Sequence, residues 1–90
     1  MISDIQIGSI VISKSGRDKG KPFVVTQTAD GYAFLCDGKT RPVSNQKKKK
    51  FMHLQQTSSV SREIAQKLEI GDTLLDADFQ KAIKQFMRQE

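Results

Sequence analysis

Short apolar runs separated by glycine-bearing turns fill the first half of the chain, and a helical repeat of apolar positions fills the second. Residues 9–13 (Ser-Ile-Val-Ile-Ser) and 23–26 (Phe-Val-Val-Thr) are β-branched and apolar, the composition of strands. Gly16 and Gly20 punctuate the polar stretch between them, and Pro22 suits a strand start or an edge. Asp30-Gly31 is a tight-hairpin signal, with a return strand over 32–37. Asp37-Gly38 repeats that signal and predicts a further arm over 40–43, with Pro42 marking a short or edge strand. Residues 51–54 (Phe-Met-His-Leu) read as a closing strand. Five short strands in this span predict a small β-barrel.

Residues 55–59 are polar on every position and read as a joint, after which the period changes. Ser61 is placed to cap a helix in which Ile64, Ala65 and Leu68 share one face, and Gly71 ends it. Asp76 is placed to cap a second helix, whose Phe79, Ile83, Phe86 and Met87 recur at i, i+4, i+7 and i+8. Asp78 near its start and Arg88 near its end suit the helix dipole. The expected organisation is a barrel over residues 1–56 and a helical tail over 57–90.

Charge changes this picture from a fold to a surface. The net charge of the 90 residues is +5. Residues 14–53 carry ten Lys or Arg against three Asp, while each flanking segment is slightly acidic. An excess confined to one segment marks a face that meets a polyanion rather than a general aid to solubility.

The stretch from Gly8 to Val25, with Gly16 and Gly20 in its basic turn, resembles the KOW motif: strand, basic glycine-containing turn, strand. The resemblance continues through Tyr32-Ala-Phe-Leu-Cys-Asp-Gly38-Lys-Thr-Arg-Pro-Val43, the lysine run, and Phe51-Met-His-Leu54. Over residues 5–56 the chain is similar to the archaeal and eukaryotic large-subunit ribosomal protein family fourteen-e and to short bacterial KOW-domain proteins. That resemblance implies a mainly β fold, an SH3-like five-stranded barrel followed by two C-terminal helices. It also implies contact with RNA, ribosomal RNA of the large subunit in particular, and work in translation.

The candidate RNA-binding residues are Lys14, Arg17, Lys19 and Lys21 in the first turn, Lys39 and Arg41 after the second, and Lys47, Lys48, Lys49 and Lys50. A basic loop on a rigid scaffold follows a phosphate backbone, and its glycines permit close approach. Four adjacent ammonium groups repel one another, so the lysine run adds nothing to the stability of a free protein, and its ordinary role is solubility or protection of a sheet edge. In a strand, alternate lysines point to opposite faces, so about half of them would meet one partner. Arg41 is suited either to a phosphate or base edge or to pairing with Asp37 across the turn. Tyr32 and Phe34 are candidates for base stacking, with the core as the ordinary destination of Phe34.

Other chemistry finds no foothold. Cys36 stands alone in an apolar strand, which excludes an internal disulfide and favours a small buried hydrophobe. His53 has no acidic neighbour in sequence and reads as structural. Lys19-Gly20-Lys21 lacks the spacing and hydroxyl of a Walker A loop. No catalytic constellation, metal-ligand set or cofactor motif is present, so the expectation is a protein that is not an enzyme. The first residues lack a signal-peptide pattern and no run approaches the roughly 20 apolar residues of a membrane span, which predicts a cytoplasmic monomer without membrane contact. Two other classes of partner fit the same sequence. One is protein docking in the manner of NusG-type KOW domains, to ribosomal proteins or polymerase; the other is DNA.

Overall fold

The computed structural model describes residues 5–88; residues 1–4, where no signal-peptide pattern was found, lie outside the described residues. Five strands, β1 (Ser9–Ser13), β2 (Pro22–Ala29), β3 (Tyr32–Cys36), β4 (Lys47–Lys50) and β5 (Leu54–Val60), are followed by α1 (Arg62–Ile70) and α2 (Asp76–Arg88). All ladders are antiparallel, in the order β4-β3-β2-β1-β5. The sheet is open: among the described residues no ladder joins β4 to β5, so closure into an SH3-like barrel is not seen.

Both faces of the sheet are apolar, which is why β1 and β2 read as unbroken apolar runs rather than as alternation. Register places Ile10 beside Val24 and Val24 beside Cys36, and these three pack under Ile64, Phe79 and Ala82 of the helices. On the other face Val11, Phe23, Val25, Ala33, Leu35 and Leu54 form a second cluster. The helical segment is therefore docked on the sheet rather than trailing from it.

The helices form as their spacing predicts. Ser61 Oγ accepts from the Ile64 N–H at 3.4 Å, and Gly71 closes α1 in the left-handed conformation. Phe79, Ile83 and Phe86 turn to the core, but Met87 is 57% exposed and does not join them. The cap of α2 also differs from expectation. Asp78 accepts from the Leu75 N–H at 2.8 Å, reaching back over the first turn, while Asp76 Oδ1 accepts from the Val43 N–H at 2.7 Å. Asp76 thus ties α2 to the loop after β3 instead of capping its own helix.

The hairpin at Asp30-Gly31 is as expected, with both residues at positive φ (51° and 80°). The arm predicted over 40–43 is not a strand. The Asp37 carboxylate takes the N–H groups of Lys39 and Arg41, at 2.9 and 2.8 Å, and Pro42 has none to offer, so no ladder forms there. The next strand is instead the lysine run itself, paired with β3 as Lys50↔Tyr32, Lys49↔Ala33, Lys48↔Phe34 and Lys47↔Leu35. Residues 51–53 form a 3-10 turn, not a strand, and the polar joint expected at 55–59 is most of β5. Leu54 and Val60 at its two ends are the apolar residues of β5, and Val60 is exposed, because as an edge strand β5 turns mostly exposed side chains to solvent.

Candidate nucleic-acid interface

The turn at residues 14–21 is built by its own backbone. The Ser13 N–H donates to Lys21 O at 3.0 Å, the Gly20 N–H to Ser13 O at 2.7 Å, and the Lys21 N–H to Asp18 O at 3.0 Å. Across from it, the Asp37 carboxylate organises the loop after β3 by accepting from Lys39 N–H, Arg41 N–H and the Thr40 hydroxyl. Burial alone would raise the Asp37 pKa, but these donors outweigh it and hold the carboxyl below its ordinary 3.8. Because Asp37 is satisfied by backbone and hydroxyl donors, the Arg41 guanidinium is not held against it; no Arg41–Asp37 ion pair forms among the described residues.

Arg41 instead lines a groove of about 440 Å³ between the two loops, together with Arg17, Lys21 and Lys47. Its floor is an ion pair, Lys49 Nζ to Asp18 Oδ1 at 3.0 Å. Lys49 is only 8% exposed, and its ammonium also donates to Ser13 Oγ at 2.7 Å and Ser15 O at 2.6 Å. Burial pushes Asp18 up in pKa, yet the hydrogen bonds from Lys49 and Ser13 and the Lys49 charge bring it below 3.8. The second oxygen, Asp18 Oδ2, is buried with no hydrogen-bond partner among the described residues. One carboxylate against five cations leaves the groove strongly positive. No ion pair involves Arg17, Lys21, Arg41 or Lys47 among the described residues.

The ten candidate residues therefore separate. Arg17, Lys21, Arg41 and Lys47 surround the groove; Lys49 is withdrawn into its floor as a structural cation; Lys14 and Lys19 are exposed on the same turn. Lys48 and Lys50 project from the opposite face of β4, where they share a side with Phe34 and Tyr32. The Lys48 ammonium sits 4.6 Å from the Tyr32 ring centroid and 5.9 Å from that of Phe34, so a cation covers this aromatic pair. Lys39 lies outside the groove, beside α2. His53 is half-buried and accepts from the Lys14 N–H through its carbonyl at 2.8 Å.

Cys36 is fully buried, and burial first of all raises its thiol pKa to about 11. Among the described residues no cluster of His, Cys, Asp and Glu could hold a metal ion, and no helix is long and apolar enough to cross a membrane. Sequence reasoning missed Asp18 and Ser13 as supports of the basic turn. Asp18 is the lone acid among its basic residues, the one signal that could have pointed there. Compared with known proteins, the sequence matches no protein-family model and none of the curated proteins.

Proposed function

We propose that this chain is a non-catalytic RNA-binding protein that grips the phosphates of structured RNA in the groove between residues 14–21 and 40–47. The observation that carries this reading is the gathering of Arg17, Lys21, Arg41 and Lys47 from separate loops and strands around one groove, their charged groups in no ion pair among the described residues. Four cations brought together at a cost in mutual repulsion are accounted for by an anionic partner. Two of the four are arginines, whose planar forks suit phosphate oxygens.

The same reading takes the sheet as an SH3-like barrel of the KOW type. Support comes from Lys49 of β4 reaching Ser13 of β1 across the apolar face, and from bulges in the β2–β3 and β1–β5 ladders, which bend a sheet towards closure. With that fold, ribosomal RNA is the partner implied by the resemblance over residues 5–56, and the place of work is the cytoplasm.

Sedimentation of the tagged protein through a sucrose gradient of cell lysate tests the ribosomal assignment. Co-migration with large subunits that is lost as salt rises supports it. Migration at the top of the gradient at every salt concentration contradicts it.

A further inference from the structure

A second groove, of about 550 Å³, lies on the far side of the loop that carries Arg41. Its lining includes Lys39 from that loop and Gln80, Lys81, Ile83 and Lys84 from α2, with Asp37 beside them. Gln80, Lys81 and Lys84 recur at helical spacing, so one face of α2 is turned to the loop. Three contacts fix that orientation. Gln80 Nε2 donates to Gly38 O at 2.6 Å, Asp76 Oδ1 accepts from the Val43 N–H, and Gly38 lies so close that a Cβ there would stand 2.2 Å from Asp76 O.

This groove also carries more cations than acids, three lysines against Asp37, a smaller excess than in the first. Asp37 already accepts from two N–H groups and the Thr40 hydroxyl, and Asp78 on the neighbouring turn of α2 is paired with Lys67 at 3.6 Å. No ion pair involves Lys39, Lys81 or Lys84 among the described residues, though the Lys81 charge also acts on Asp78. Residues 37–41 divide the two grooves, with Asp37 and Lys39 on one side and Thr40 and Arg41 on the other. Cations from the loop after β3 therefore face both ways, and α2 carries the positive surface onward.

We infer that Lys39, Lys81 and Lys84 form a second phosphate-binding site, so that one RNA spans both grooves and the helical segment is part of the RNA interface. This rests on RNA binding by the first groove. It assigns to α2 a role beyond covering the sheet: the helix is docked with its lysines alongside the loop that both grooves share. The contact is with phosphates and so carries no base preference. It lengthens the footprint rather than sharpening it.

The test compares binding of two fluorescein-labelled RNA stem-loops to the full chain. One has about 16 base pairs, the span that double-stranded RNA modules cover, and exceeds the 31 Å longest extent of the protein. The other has about a third of that stem length. Lys81 and Lys84 are exposed, and Lys81→Gln/Lys84→Gln leaves the core contacts of α2 in place. The expected result is a loss of about tenfold in affinity for the long stem-loop at low salt, a log–log salt slope shallower by about one to two, and little change for the short one. Unchanged binding of the long stem-loop, while Arg41→Gln/Lys47→Gln weakens it, overturns the second site and leaves the first standing. Unchanged binding in both variants overturns the second site together with the function on which it rests.

Discussion

The ammonium of Lys49 and the carboxylate of Asp18, 31 positions apart in sequence, meet at 3.0 Å beneath the basic turn. One lysine of the four-residue run is thereby a structural cation. It neutralises the only acid of the turn and joins the edge strand β4 to residues 13–18. The turn is pinned in the orientation that sets Arg17 and Lys21 on the groove.

Breaking this pair from one side should be costly. Lys49→Met leaves the Asp18 carboxylate in a largely buried site without its partner, and a loss of about 3 kcal/mol in urea unfolding is expected. The double variant Lys49→Met/Asp18→Asn should recover a large part of that loss, because neither charge is then stranded. Equal stability of the single variant and the parent chain would show that the pair holds nothing in place.

Acid should act on the same site. Asp18 and Asp37 both have pKa values below their ordinary 3.8 in the folded chain, so the unfolded chain binds protons more readily. Their contribution to stability is complete above the ordinary value and is lost as pH falls through the lowered folded values. Unfolding followed by circular dichroism should therefore show stability falling with pH below about 4. Asp18→Asn should flatten that fall.

Two glycines at positive φ provide an internal comparison. Gly31→Ala meets nothing within 4 Å and suffers only backbone strain, worth about 1 kcal/mol. Gly38→Ala suffers the same strain and drives its Cβ against Asp76 O, so a loss of about 2 kcal/mol or more is expected. Thermal melts of the two variants should rank in that order, and the Gly38 variant should loosen α2 from the loop.

Position within the lysine run should matter more than number. Arg41→Gln/Lys47→Gln removes two groove cations, whereas Lys48→Gln/Lys50→Gln removes two from the opposite face of β4. RNA affinity measured by fluorescence anisotropy should fall by about tenfold or more in the first variant and much less in the second. Equal losses would mean that RNA is drawn by net charge and not by the groove.

Much of the fold was legible because local chemistry and tertiary structure agree there. The Asp30-Gly31 turn, the apolar runs of β1 and β2, and the caps at Ser61 and Gly71 each carry their own physical signal. The lysine run was not legible as a strand, since lysine is somewhat depleted in strands and pairing with Tyr32–Leu35 decides the matter. β5 was hidden for the complementary reason: an exposed edge strand needs no apolar alternation. Of the candidate site, the basic residue types were visible in sequence. Their division among two grooves, an aromatic-backed outer face and a buried ion pair depends on the register of β3 with β4, which composition does not reveal. Lys81 and Lys84 escaped notice because lysines on the polar face of a helix are ordinary until the helix is seen to dock beside a basic loop.

The salt dependence of RNA binding tests the central claim most directly. Affinity of the full chain for the long stem-loop is measured across a range of salt, alongside Arg41→Gln/Lys47→Gln. Four groove phosphates predict a log–log slope of about −3 or steeper, shallower by about one to two in the variant. A slope near zero, or one unchanged by removing Arg41 and Lys47, would contradict a phosphate-binding groove.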